Sequence, residues 1–184
     1  MTITRADRAD LQAILELQYL AYQSEAELVN DFSIPPLKQT LDEVELEYEK
    51  GVFLKATGEN GEIIGSVRAY INNGSAFIGK LIVHPERQRH GIGTALLLAM
   101  EKECAVERYE LFTSDKSVGN IRLYERLGYV RFREQRVSDN LTFVYLEKLR
   151  KSQFSCKPPH ERTGAINRAL TGHGSVFIYE SISL

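Results

Sequence analysis

The segment VHPERQRHGIGTALL, residues 83–97, constrains the fold more strongly than any other part of the sequence. An apolar run, FIGKLIV, stops at Pro85, and a short basic segment follows it. Gly91 and Gly93 then precede an Ala- and Leu-rich run that contains neither Gly nor Pro. This order predicts a strand that ends in a tight turn and leads directly into a helix over residues 93–107.

Such a turn can bind an anion, because the first N–H groups of a helix have no partner within the helix and lie at the positive end of its dipole. Gly91 and Gly93 leave no Cβ atoms between a ligand and the backbone. Arg89 and His90 add side-chain donors, and Thr94 adds a hydroxyl. A glycine pair alone is more often only a tight turn, but the full order of strand, proline, basic segment, glycines and helix favours a ligand.

Two common phosphate-binding motifs do not fit this segment. A dinucleotide-binding fingerprint needs a third glycine three residues after the second, and Leu96 occupies that position. A P-loop needs Gly-Lys-Ser/Thr at the start of the helix, and Gly93 is followed directly by Thr94. The anion is therefore expected to come from another class of ligand.

The segment resembles the acyl-CoA signature of the GNAT superfamily of N-acetyltransferases. The pattern is Arg/Gln-x-x-Gly-x-Gly/Ala, and Gln88, Gly91 and Gly93 occupy its defined positions. The later stretch NIRLYERLGYVRF, residues 120–132, resembles the second superfamily signature, a helix that carries Leu-Tyr-Glu and ends in Leu-Gly-Tyr/Phe. The two signatures in the right order are more specific than either alone, and the resemblance covers roughly residues 1–149.

The resemblance implies a binding site for acetyl-CoA as co-substrate. In the superfamily the fourth and fifth strands diverge, and the pantetheine arm lies in the gap like an extra strand. Backbone groups of residues 81–83 would pair with the pantetheine amides, and N–H groups of residues 89–94 would hold the pyrophosphate. The implied cofactor-binding residues are Leu81, Ile82, Val83, Gln88, Arg89, His90, Gly91, Ile92, Gly93, Thr94, Asn120 and Tyr124.

Acetyl transfer to an amine requires loss of a proton from the amine, donors for the oxyanion and a proton for the departing thiolate. In the superfamily a tyrosine of the second signature often lies near the thioester sulfur, so the resemblance implies Tyr124 as a catalytic residue. The alternative is an aromatic plug between helix and sheet, because Ile121, Tyr124 and Leu127 are helically spaced. Asn120 matches a position that touches the cofactor arm, and its alternative is the N-cap of the same helix.

The sequence assigns no general base. Lys80 has the wrong chemistry unless its pKa is strongly shifted, and Glu110 lies early in its strand, where it can simply face solvent. Glu25 and Glu27 lie on the acceptor side that the resemblance implies, but a solvated helix face is the favoured interpretation for both. A water relay is also compatible with the sequence.

The order of predicted elements is that of a mixed α/β fold. Two helices come first, and Thr40 with Glu43 forms a capping box at the start of the second, which runs to about Lys50. Three strands, a strand–helix–strand crossover, another helix and a final hairpin follow. We expect a mostly antiparallel twisted sheet, flanked by helices, in which the fourth and fifth strands form a parallel, splayed pair.

Length and composition limit the classes of function. The chain has 184 residues, 43% of them hydrophobic, and a net charge of −2, which fits one domain over residues 1–149 with a C-terminal tail over residues 150–184. In the tail, SVFIYESISL is either an additional strand or a loose end. The balanced charge argues against a nucleic-acid surface, and no apolar run reaches the roughly 20 residues that span a bilayer.

The sequence also allows predictions about the cellular location of the protein and about metal binding. The N-terminus lacks the apolar region of a secretory signal, so we expect a cytoplasmic protein without a membrane segment. The four histidines are far apart and show no zinc-ligand spacing, so no metal site is expected. A homodimer is compatible with the sequence, since the tail could exchange with a neighbouring subunit.

The predicted function is transfer of an acetyl group from acetyl-CoA to a primary amine of a small molecule or peptide, directly within a ternary complex. Acidic residues in the predicted acceptor region favour a cationic acceptor: Glu25, Glu27 and Asp31. The alternative is a non-catalytic module that binds an acyl-CoA as a sensor, because no general base is evident.

Overall fold

The computed structural model describes residues 1–150 of the chain, so the tail and its SVFIYESISL segment lie outside the described residues. Within residues 1–150, seven strands form one mixed sheet in the order β1-β2-β3-β4-β5-β7-β6. Among these seven strands only β4 and β5 are parallel neighbours; the other adjacent pairs are antiparallel. The strands are β1 (Thr2–Arg5), β2 (Val52–Thr57), β3 (Ile63–Asn72), β4 (Ser75–Val83), β5 (Arg108–Ser114), β6 (Val130–Ser138) and β7 (Leu141–Leu149).

Helices cover both faces of this sheet. Phe53 packs with residues of α1 and α3, whereas its neighbour Leu54 packs with residues of α4, and adjacent residues of a strand point to opposite faces. In residues 1–150 no helix combines the length and hydropathy needed to cross a bilayer. The helices are α1 (Leu11–Val29), α2 (Pro35–Lys38), α3 (Leu41–Lys50), α4 (Ile92–Cys104) and α5 (Val118–Arg126), with short 3-10 turns at Arg8–Asp10 and Pro85–Arg87.

β4 and β5 diverge after a short parallel contact, as expected. The ladder joins Ser75 to Arg108 and ends at the pair Phe77 and Glu110. Both strands continue beyond it, β4 to Val83 and β5 to Ser114, without pairing to each other. A wedge-shaped gap therefore opens in the middle of the sheet, and the expected mixed α/β fold with a parallel, splayed pair is confirmed.

A β-bulge in β4 lies where the strand leaves β5. Arg68 of β3 pairs with Gly79 and Ser66 pairs with Ile82, so β4 carries one more residue than β3 over this stretch. Lys80, inside it, has the left-handed backbone conformation with φ of 47°. Bulges bend the strand that carries the extra residue, which accounts for the change of direction of β4.

The structure confirms the predicted boundaries of one helix and corrects a predicted boundary in each of two others. The Thr40–Glu43 capping box is present, and α3 ends at Lys50 as predicted. α4 ends at Cys104 rather than residue 107, because Ala105 has a left-handed φ of 47° and stops the helix. α5 begins at Val118 with Ser117 in the N-cap position, so the N-cap alternative for Asn120 was wrong.

Candidate active site

The start of α4 exposes a row of backbone N–H groups. Gly91 is the N-cap with a left-handed φ of 81°, and Arg89 also has a left-handed φ of 65°. The first hydrogen bond of the helix runs from the Ala95 N–H to the Gly91 carbonyl at 3.0 Å. The N–H groups of residues 92–94 precede this bond and have no partner within the helix. This turn therefore has the geometry of an anion-binding site, with Arg89 and His90 exposed beside it.

Side-chain contacts tie the turn to the end of β4. The Gln88 amide donates to the Val83 carbonyl at 3.5 Å, and Nδ1 of His90 lies 2.7 Å from the Gln88 carbonyl. Carbonyl oxygens only accept, so Nδ1 of His90 carries the proton. The signature residue Gln88 thus fixes the exposed N–H groups next to the gap.

Gly93 lies where α4, α5 and β4 meet. A Cβ atom built at Gly93 would lie 3.7 Å from Leu123 of α5, 3.7 Å from Val83 and 3.9 Å from Leu81. These are ordinary van der Waals distances, so packing within the described residues does not require a glycine here. The space at this position is consistent with a ligand that approaches the backbone closely.

The wall of the gap is the outer part of β4. Leu81 and Val83 pack against the core that α4 and α5 form, while Ile82 packs on α1 on the other face. These three residues lie beyond Phe77, where the β5 side of the strand pairs with no strand of residues 1–150. Their backbone is thus placed to pair with an extended ligand, as the resemblance implies.

Tyr124 of α5 is buried, with 7% of its surface exposed. Its ring packs against Tyr129 at a centroid distance of 6.1 Å. Burial raises the pKa of the Tyr124 phenol, and the neighbouring Tyr22 and Glu25 raise it further. The phenol is therefore protonated at neutral pH and is able to donate a hydrogen bond.

Glu25 connects α1 to the start of α5, which the sequence did not reveal. One carboxylate oxygen accepts from the Ser117 hydroxyl, and the other accepts from the Asn120 amide at 3.2 Å. The expectation of a solvated helix face was wrong for Glu25, which is half-buried, whereas Glu27 is exposed. Helical spacing alone carried no signal for this contact, because the partners come from another element.

A buried charged network lies on the α1 and α3 face, beside the bulge. Arg68 is 5% exposed and donates to Glu47 at 2.8 Å and to Gln18 at 2.6 Å. Lys80 pairs with the second oxygen of Glu47 at 2.9 Å. Burial pushes the pKa of Glu47 upward, but Lys80 and Arg68 outweigh it and hold that pKa below its usual value. Glu47 therefore stays ionised between two cations.

The two base candidates named from the sequence are both tied to partners. Burial lowers the pKa of Lys80 to about 8. The charge of Glu47 raises this pKa and the charge of Arg68 lowers it, but burial is the largest effect. Glu110 does not face solvent, because it is 6% exposed and pairs with Arg108 at 2.8 Å. Glu110 lies opposite Phe77 in the last pair of the β4–β5 ladder.

The part of the chain that contains the gap and the turn matches a known family. The model described as the acetyltransferase (GNAT) family matches residues 11–129, a range that includes the turn, the gap and Tyr124. The chain belongs to the acetyltransferase (GNAT) family. The resemblance that the two GNAT signatures indicated is thereby confirmed.

Known proteins and structures resemble this GNAT chain to different extents. UPF0157 protein YqkA of Bacillus subtilis (strain 168) is 29% identical over 117 residues, which are 63% of this chain and 33% of that protein. The chain therefore spans about a third of the length of this curated relative.

Solved GNAT structures share the fold at low sequence identity. A phosphinothricin acetyltransferase from Sinorhizobium meliloti in complex with AcCoA has a TM-score of 0.67 and 18% identity, covering 86% of this chain and 92% of that chain. An aminoglycoside 6'-N-acetyltransferase complexed with coenzyme A has a TM-score of 0.65 and 19% identity, covering 81% of this chain and 97% of that chain. These likenesses show that the two proteins and this chain have the same fold.

Proposed function

We propose that this protein transfers the acetyl group of acetyl-CoA to a primary amine of a small molecule or peptide, by direct transfer in a ternary complex. The observation that carries this proposal is the gap between β4 and β5, which opens beside the exposed N–H groups of α4. Membership of the GNAT family supports acetyl-CoA as the co-substrate. Two solved structures with the same fold hold coenzyme A or AcCoA, which supports it further.

The residues around the gap fit the separate parts of acetyl-CoA. In the proposal, N–H groups of residues 89–94 bind the pyrophosphate, with Arg89, His90 and Thr94 as additional donors. The unpaired edge of residues 81–83 binds the pantetheine amides as a neighbouring strand would. Gln88 holds the turn in place, and Gly93 keeps the space next to the backbone open. The thioester then reaches the part of the gap that α5 borders, where Tyr124 and Asn120 lie.

Tyr124 donates a hydrogen bond and then a proton to the departing thiolate. We expect Tyr124→Phe to lower kcat by about 100-fold, the lower end of the range for general acid catalysis. The dissociation constant for acetyl-CoA and the melting temperature should stay at wild-type values, because the ring keeps its contact with Tyr129. Since the pKa of Tyr124 is raised, the loss should be equal at pH 7 and pH 9. Unchanged turnover would leave Tyr124 as a packing residue.

A thiol-release assay tests the proposed function itself. Acetyl-CoA is incubated with spermidine, kanamycin, free amino acids and a peptide with an N-terminal alanine, and release of coenzyme A is followed. Release with at least one class of amine supports the transferase. Stabilisation by acetyl-CoA without release from any amine would instead indicate the acyl-CoA sensor; saturation at a hundred times the dissociation constant adds about 2.7 kcal/mol of stability.

A further inference from the structure

We infer that Glu25 is the carboxylate that receives the acceptor amine and takes its first proton. This inference rests on the proposed acetyl transfer and adds the residue that the sequence left unassigned. Three observations support it: the face of the sheet on which Glu25 lies, the neutral donors that hold its carboxylate, and its closeness to Tyr124.

Glu25 lies on the side of the gap from which an acceptor must come. The exposed N–H groups belong to α4, which packs on one face of the sheet, so the cofactor enters from that face. Leu17 and Ala21 of α1 pack on Ile82 from the opposite face. Glu25 follows Ala21 by four residues, so the three α1 residues form one stripe along the diverging part of β4. An acceptor in a ternary complex approaches the thioester from this second face, along α1.

Neutral groups hold the Glu25 carboxylate in place. The Ser117 hydroxyl and the Asn120 amide donate to its two oxygens, and neither brings a positive charge. The carboxylate therefore keeps its full attraction for an ammonium group. By contrast, Glu47 and Glu110 are each paired with a cation, so their charge is already compensated.

Glu25 shares its surroundings with the proposed proton donor. Asn120 is one helical turn before Tyr124, and the charge of Glu25 raises the pKa of the phenols of both Tyr22 and Tyr124. Arg68 and Glu47 also act on the pKa of Tyr22, Arg68 lowering it and Glu47 raising it. A carboxylate of α1 and a protonated phenol of α5 thus lie near enough to interact electrostatically.

The proposed step balances protons and bonds. An ammonium acceptor gives one proton to Glu25, and the freed nitrogen lone pair attacks the thioester carbonyl carbon. The carbon–sulfur bond breaks as the tetrahedral intermediate collapses, and the sulfur takes a proton from Tyr124. The second nitrogen proton restores the phenol, and Glu25 releases its proton to solvent. The products are the acetylated amine, coenzyme A and one proton.

A purely structural tie between α1 and α5 would show the same contacts, so two substitutions are compared. Glu25→Gln keeps its contacts with α5, because its oxygen can accept from the Asn120 amide and its own amide can donate to the Ser117 hydroxyl oxygen, but it cannot take a proton. Glu25→Ala removes both properties. Glu16→Gln is the matched control, because Glu16 is an exposed α1 carboxylate that also accepts from a neutral amide, that of Gln12 at 2.8 Å.

The experiment measures kcat/KM with acetyl-CoA and the panel amine that gives the fastest release, from pH 6.5 to 9. We expect Glu25→Gln to lose about 100-fold at pH 7, as removal of a general base does, and to regain about tenfold per pH unit as the free amine accumulates. Affinity for acetyl-CoA and the melting temperature should match wild type, and Glu16→Gln should be unaffected. Glu25→Ala should lose as much activity and also melt earlier.

Two results would overturn the inference, and they can be told apart. If Glu25→Gln keeps wild-type kcat/KM at every pH while Glu25→Ala loses it, Glu25 is only a tie between helices and the proposed function stands. If the wild-type protein releases no coenzyme A with any panel amine, the proposed function fails and the role of Glu25 fails with it.

Discussion

At the scale of single residues, Gly93 and Gly119 offer a comparison built into the chain. Each is the second residue of its helix, and neither has a left-handed backbone. A Cβ atom at Gly119 would meet nothing within 4 Å, and one at Gly93 would meet only ordinary contacts. The two positions therefore differ mainly in the ligand that the proposal places next to Gly93.

Substitutions at these positions separate packing from binding. Gly93→Ala and Gly119→Ala should each leave stability unchanged or raise it by up to about 1 kcal/mol, since alanine favours a helix over glycine. Both alanine variants should keep their affinity for acetyl-CoA, because the signature accepts alanine at the position of Gly93. Gly93→Glu should weaken binding by tenfold or more, because it places a larger, negatively charged side chain beside the pyrophosphate, whereas Gly119→Glu should not. Chemical denaturation and calorimetry measure the two effects, and equal affinity in the two glutamate variants would contradict a ligand at this turn.

Lys80 makes stability depend on pH in a defined window. Its pKa is about 8 in the folded protein against 10.5 for an ordinary lysine, so between these values the unfolded chain binds more protons. The free energy of unfolding of the wild type therefore gains a contribution as pH rises from 8 to 10. The cost of burying the charge is largest below pH 8.

Lys80→Met removes this dependence. Glu47 keeps its bond from Arg68 at 2.8 Å, so no carboxylate is left unpaired. We expect the variant to be more stable than the wild type at pH 7 by on the order of 1 kcal/mol, with the advantage shrinking towards pH 10. Lys102→Met, at an exposed lysine, controls for the general effect of losing one positive charge. A constant difference between Lys80→Met and wild type across this range would disprove the shifted pKa.

At the scale of elements, the start of α3 is fixed by hydrogen bonds between residues only three positions apart. The Glu43 N–H donates to the Thr40 hydroxyl oxygen at 3.3 Å, and the Thr40 N–H donates to the Glu43 carboxylate at 2.7 Å. Thr40→Ala should lower the free energy of unfolding by about 1 kcal/mol, and Thr40→Ser should restore it. Urea denaturation of the three proteins checks this. Equal midpoints would mean that packing alone fixes the start of α3.

What the sequence predicted, and what it missed, follows from the range of the interactions. The capping box and the turn at Gly91 are set by residues within a few positions, so sequence patterns indicate them directly. The end of α4 was missed because an alanine, Ala105, adopts a left-handed conformation that its residue type does not favour. The start of α5 was misplaced because both Ser117 and Asn120 are suitable N-cap residues.

The candidate site divides in the same way. The proposed cofactor side consists largely of backbone in one continuous segment, residues 81–94, which the two signatures identify from sequence. The proposed acceptor side consists of side chains from elements that are distant in sequence. Glu25 is 92 positions from Ser117, and Arg68 is 50 positions from Gln18. Neither periodicity nor composition reports which distant polar groups meet, so Glu25 was assigned to a solvated surface.

At the scale of the whole molecule, the sheet separates two helical layers and the gap connects them. α4 and α5 cover one face, and α1 and α3 cover the other. Because β4 and β5 part after Phe77, the cofactor that we propose at α4 and the acceptor that we propose at α1 can meet inside the sheet. Under the proposed function, each substrate has its own entrance and the two share one space for the reaction.

Hydrogen exchange on the intact protein tests whether a ligand completes the sheet. Acetyl-CoA should slow exchange most strongly in two places, residues 78–83 and residues 89–94, because N–H groups on the gap side of β4 and at the start of α4 gain acceptors from the ligand. Pantetheine, which lacks the phosphates, should protect the first stretch and leave the second at its free rate. If both ligands protect α4 and β4 equally, global stabilisation of the protein causes the effect. If protection is confined to other elements, the ligand binds outside the gap. The expected pattern requires the diphosphate and the pantetheine arm to bind at separate backbone sites, as the exposed start of α4 and the free edge of β4 predict.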